Sequence, residues 1–136
     1  DYLVYGADRD FLAATSDLLH LGLERLHRLT REKGFLIFQA HPFRPEVRAA
    51  DPRLLDGVEV YNGNARHSSS NHLAYQFARD NGLRMSSGSD CHQLPDLARG
   101  GIILAEEVRT AAQLAEALRD GRIEGLIRAE DPCASA

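Results

Sequence analysis

Phe35-Leu36-Ile37-Phe38-Gln39-Ala40, running straight into His41-Pro42-Phe43-Arg44-Pro45, is the stretch that decides the fold. A short, nearly continuous apolar run leaves no face for water, which is how a parallel strand covered on both sides reads. The two prolines stop the strand from extending and fix the loop that follows. A polar side chain at the tip of such a strand stands where α/β folds place function. His41 is therefore a candidate site residue; the plainer alternative is that its imidazole satisfies a backbone group of the loop.

Working outward, strand and helix signals alternate. Tyr2 to Tyr5 is a short apolar run closed by Gly6, and Asp8 is placed to cap a helical turn through Phe11 and Leu12. Ser16 is read as the N-cap of a helix to Lys33, with Gly34 ending it and Leu19, Leu23, Leu26 and Leu29 as its apolar stripe. His20 and His27 fall on another, solvated face of that helix. Asp51 to Leu55 reads as a helical turn, and Gly57-Val58-Glu59-Val60-Tyr61 as a strand followed by the turn Asn62-Gly63-Asn64. A helix is expected from Ser69 or Ser70 to Asn81, buried through Leu73, Ala74, Phe77 and Ala78. Leu83 to Ser87 is a weak strand, Leu94 to Leu97 at most one helical turn, and Gly101 to Ala105 a clear strand. Thr110-Ala111-Ala112-Gln113 forms a capping box for a helix to Asp120, Gly125 to Ile127 makes a last strand, and 129–136 is expected to be a disordered tail. This series implies an α/β fold of mainly parallel strands in one domain.

The second candidate is Ser87-Gly88-Ser89-Asp90-Cys91-His92. On an extended backbone Asp90 and His92 would face one side together, with Cys91 turned inward. A carboxylate and an imidazole converging on one point are ligands for zinc, manganese or iron. Gly88 permits close approach beside them. His41 and the Asp90/His92 pair both follow strands on loops leading to helices, so in a barrel of βα units they meet on one face.

Composition narrows the partners. A net charge of -4 gives no electrostatic reason to expect nucleic acid. No apolar run reaches the length that crosses a membrane. Two cysteines far apart, Cys91 and Cys133, make no disulfide framework, so a reducing cytoplasm is the expected location. The chain starts at Asp1, without Met and already in a strand, and is read as the N-terminally truncated piece of a longer protein.

Taken together, Ala40-His41-Pro42, the strand Gly57-Val58-Glu59-Val60-Tyr61-Asn62 and Gly88-Ser89-Asp90-Cys91-His92 resemble the second half of a PHP (polymerase and histidinol phosphatase) domain, from about Gly34 to Leu104. The resemblance implies the C-terminal part of a distorted (β/α)7 barrel. It also implies two or three divalent transition metals (Mn, Zn or Fe) in the full-length site. The activity it implies is hydrolysis of a small phosphorylated substrate by metal-bound hydroxide, at least in the full-length parent. His41 matches the family histidine of Ala-His-Pro, and Asp90 and His92 match the closing Gly-Ser-Asp-x-His. These three are the expected metal ligands, with Asp90 and His92 the catalytic pair. Glu59 matches a strand position expected to orient the site rather than to ligate. Arg44, and more loosely Arg66, is a candidate cation for the phosphoryl oxygens, and His67 a candidate substrate contact. The family opens with a His-x-His motif that this chain lacks, and Leu3 stands where some members carry a histidine. About half the ligand set is thus present, enough for one weakly held metal. Two other functions fit the same residues: a catalytically silent PHP-like structural or binding domain, and a metal-dependent amide hydrolase.

Overall fold

Strand β1 (Tyr2–Tyr5), β2 (Leu36–Gln39), β3 (Gly57–Asn62) and β4 (Arg84–Gly88) form one sheet in that order. The structure is a computed structural model describing residues 1–129. β2 pairs parallel with β3, and β3 with β4. All four residues of β2 are buried. Ile37 packs with Leu26, Val58, Val60 and Ala78 on one side, while Leu36 and Phe38 pack with Leu118 on the other. That alternation is the period of a strand, and the cover on both faces explains the unbroken apolar run.

The covers are helices. α1 (Arg9–Ala14) starts at Asp8, whose carboxylate accepts the Phe11 N–H at 2.7 Å. α2 (Leu23–Lys33) supplies Leu26, and α3 (Asn71–Asp80) supplies Ala74 and Ala78. α4 (Ala111–Arg119) covers the other face with Leu118, and the Thr110 hydroxyl accepts the Gln113 N–H at its start. Asp51 caps the short 3-10 turn Pro52–Leu54 in the same manner. Among the described residues no helix is long and apolar enough to cross a membrane.

Several expectations are corrected. The helix expected from Ser16 starts only at Leu23, because Gly22 sits at φ 69° and interrupts it; before it lies a 3-10 turn, Leu18–His20. Leu19 is consequently 93% exposed rather than part of the stripe. His27 is not simply solvated: its Nδ1 lies 3.0 Å from the Leu54 carbonyl and ties α2 to the Pro52–Leu54 turn. β1 runs antiparallel to β2. The last two strands, β5 (Gly100–Leu104) and β6 (Ile123–Arg128), form a separate antiparallel pair. The described strands therefore make an open, mostly parallel four-stranded sheet beside a two-stranded one, with no closed barrel among them. Ser87 links the two, donating to the Ile127 carbonyl at 2.6 Å and accepting from Gly101 N–H at 3.1 Å. Of the expected tail, Ala129 is held at both backbone groups, by the Arg99 carbonyl and the Tyr61 hydroxyl. Residues 130–136 lie outside the described residues.

Candidate functional site

Parallel pairing brings the C-terminal ends of β2, β3 and β4 to one edge of the sheet. His41 follows β2, Asn62 ends β3, and Asp90 follows β4. Because β1 is antiparallel, Asp1 arrives at the same edge, where its Oδ2 lies 3.3 Å from His41 Nε2. Backbone geometry is unusual at both loop residues: φ is 32° at His41 and 47° at Asp90. Such positive angles are uncommon for residues with a Cβ and are held only where the surroundings dictate them.

Glu59 is the internal post of this edge. Its Oε2 accepts the His41 backbone N–H and the Asn62 side-chain N–H, both at 3.0 Å. Burial pushes the Glu59 carboxyl above its ordinary value, and these two hydrogen bonds oppose that only in part. A Cβ on Gly88 would stand 2.4 Å from Glu59 Oε1, so the glycine of the Gly-Ser-Asp stretch is needed for the carboxylate to lie there. Asn62 then passes the order on. Its Oδ1 accepts from Arg44 Nη2 at 3.1 Å and from Asn64 N–H at 3.2 Å, and Asn71 brackets its backbone N–H and carbonyl.

Arg44 closes on Asp90, with Nη2 2.6 Å from Oδ2, each side chain 18% exposed. Burial works to raise the Asp90 carboxyl, but the Arg44 hydrogen bond and charge, with smaller contributions from Asn62 and His92, together leave it below the ordinary carboxylate value. Burial first, and the Arg44 cation next, hold His41 below the ordinary imidazole value. His41 Nδ1 is buried and has no hydrogen-bond partner among the described residues.

The second loop is built differently from the extended form expected. β4 ends at Gly88, and the turn at Asp90 leaves Cys91 exposed rather than packed inward. His92 is exposed, its Nδ1 2.9 Å from the Asp90 carbonyl and 3.6 Å from Asp90 Oδ1. Two residues that sequence reasoning missed hold this loop. Asn64 donates to the Asp90 carbonyl at 3.1 Å, and Asp96 Oδ2 accepts the N–H groups of His92 and Gln93, both at 2.9 Å. Asp96 belongs to the 3-10 turn Leu94–Asp96 and is buried. The pattern Gln93-Leu94-Pro95-Asp96 is a capping-box spacing that could have flagged it. Arg66 is committed to Asp96 rather than open to substrate, and His67 is an exposed loop residue whose backbone N–H donates to the Asn64 carbonyl.

Residues 68–123 match the family model PHP_C, described as PHP-associated. The matched span runs through α3, β4, the Asp90–His92 loop, β5 and α4, and is consistent with a PHP C-terminal region. His41, Arg44 and Glu59 precede it. No curated protein matches the chain.

The donor types suit a divalent transition metal: two imidazoles and a carboxylate at one sheet edge, with His41 Nδ1 buried and unpartnered among the described residues. The arrangement is not a closed metal centre, since among the described residues no group of three or more His, Cys, Asp or Glu is placed to hold an ion. Asp90 carries the Arg44 guanidinium instead.

Proposed function

We propose that the chain carries the C-terminal part of a metal-dependent phosphoesterase site acting on a small phosphorylated substrate, on a sheet that corresponds to part of a (β/α)7 barrel. His41, Asp90 and His92 would hold a divalent ion (Mn, Zn or Fe), and Arg44 would neutralise phosphoryl oxygens. One observation carries this reading: His41, Arg44, Glu59, Asn62 and Asp90 meet in one hydrogen-bonded group at the C-terminal edge of three parallel strands. A bound divalent ion would supply Lewis-acid polarisation and lower the pKa of a coordinated water. The chain's own residues do the rest. Glu59 fixes the His41 backbone, the depressed His41 pKa keeps its imidazole neutral near pH 7 and able to donate a lone pair, and Arg44 offers a guanidinium suited to phosphate geometry. The two distant cysteines favour a reducing compartment such as the cytoplasm.

The test is metal content and hydrolysis together. Purified protein incubated with Mn2+ and desalted should retain metal by mass spectrometry and hydrolyse p-nitrophenyl phosphate; D90N should lose both. Absence of bound metal together with absence of hydrolysis would sink the proposal. It would support the second reading, a catalytically silent PHP-like domain, which the Arg44–Asp90 ion pair favours because it already satisfies the carboxylate.

A further inference from the structure

We infer that Arg44 is the resident counter-cation of Asp90 and competes with a divalent metal ion for that carboxylate. The inference rests on the assignment of Asp90 as a metal ligand, and adds that loading requires Arg44 to withdraw.

The contact at 2.6 Å places the guanidinium on Asp90 Oδ2, in a pocket where both side chains are four-fifths shielded from water. Two cations on one shielded carboxylate repel strongly, because low effective dielectric weakens their screening.

The Arg44 contact is also built to exchange. Arg44 engages Asp90 through Nη2, and its Nε is buried without a partner among the described residues. Arg66 grips Asp96 with two nitrogens on two oxygens, at 2.9 and 2.8 Å, which is the stronger, geometrically fixed mode. Arg44 Nη2 has neutral acceptors alongside, Asn62 Oδ1 at 3.1 Å and Ser69 Oγ at 3.4 Å. These can keep the guanidinium in the pocket after it leaves Asp90. A displaced Arg44 then presents a positive charge beside the loaded ion, where an anionic oxygen would be received.

The experiment is Mn2+ binding to the full chain, followed by the electron paramagnetic resonance signal of free Mn2+, for wild type, R44Q, R44K and R44Q/D90N. R44Q should bind about tenfold tighter than wild type, within the usual range of coupling between two sites. R44K keeps the competing charge and should stay near wild type, while R44Q/D90N should lose binding. Equal or weaker binding by R44Q than by a metal-binding wild type overturns the competition and leaves the metal assignment standing. No binding by either protein overturns both. A wild-type arm guards against misfolding of R44Q: on titration with diamagnetic Zn2+ the Arg44 guanidinium NMR signal should shift, and a Zn2+-saturated protein with that signal unmoved overturns the inference.

Discussion

Arg66 meets the Asp96 carboxylate through paired hydrogen bonds of 2.9 and 2.8 Å across 30 residues of sequence. The same carboxylate receives the backbone N–H groups of His92 and Gln93, so one buried side chain ties the loop of the Asp-x-His pair to the loop after β3. Removing it frees two amides. In D96A, hydrogen exchange at His92 and Gln93 should speed up several-fold, while amides of β2 and β3 stay near their wild-type rates. In R66A the same two amides should quicken less, because Asp96 still accepts from them. Unchanged exchange in D96A would show that the loop is held by something else.

Acid should act on the same carboxylate. The Arg66 hydrogen bonds, with the backbone N–H groups of His92 and Gln93, lower the Asp96 pKa to about 2. A carboxyl whose folded pKa lies below its unfolded value contributes stability that is complete above the unfolded pKa, and loses it as pH falls toward the folded pKa. Asp96 therefore contributes fully above about pH 5 and progressively less from there down to about 2. Thermal midpoints measured between pH 7 and pH 2 should fall less steeply in D96N than in wild type. A parallel fall in both proteins would contradict this. Asp51 has a similarly lowered pKa, to about 2, through Arg53, and gives an independent control at an exposed pair.

Glu59 and Gly88 should behave as one unit. E59A leaves the buried His41 N–H without its acceptor and is expected to cost roughly 1–3 kcal/mol of folding stability. G88A sets a methyl 2.4 Å from Glu59 Oε1 and must push the carboxylate off the same two donors, so its cost should be similar. The double variant should lose much less than the sum of the two, since contacting residues fail additivity. Urea unfolding of the four proteins measures this; strict additivity would show that Gly88 acts independently of Glu59.

Ser87 is the joint between the two sheets. S87A removes the donor to Ile127 and leaves Gly101 N–H without its partner, at an expected cost of roughly 1–3 kcal/mol. Protection of the β5 amides should drop more than that of β3, and equal loss across both strands would argue against a local joint.

What could be read from the sequence was what short range controls. The unbroken run from Phe35 to Ala40 is legible because both faces of β2 are covered. The caps at Asp8 and Thr110 are legible because each carboxylate or hydroxyl reaches an N–H three residues on. His41 and Asp90 could be placed at strand ends, and in a parallel sheet those ends share an edge. The extended Asp90–His92 segment and the inward Cys91 were misread because the loop turns at a positive φ at Asp90 and is held by distant residues: Asn64 on the Asp90 carbonyl, Arg44 on its carboxylate and Asp96 on the His92 N–H.

By itself, then, the sequence determined the alternating α/β order, the buried central strand, the caps at Asp8 and Thr110 and the residue types at the strand ends, all of which depend on side-chain period and hydrogen bonds within a few residues. Tertiary structure alone decided the antiparallel entry of β1, the separate β5–β6 pair, the posting of His41 and Asn62 on Glu59, and the pairing of Arg44 with Asp90 across 46 residues. The physical reason is that a shielded ion pair or a buried acceptor is worth something only where the folded chain excludes water, and no local pattern of residues records which distant partner will arrive there.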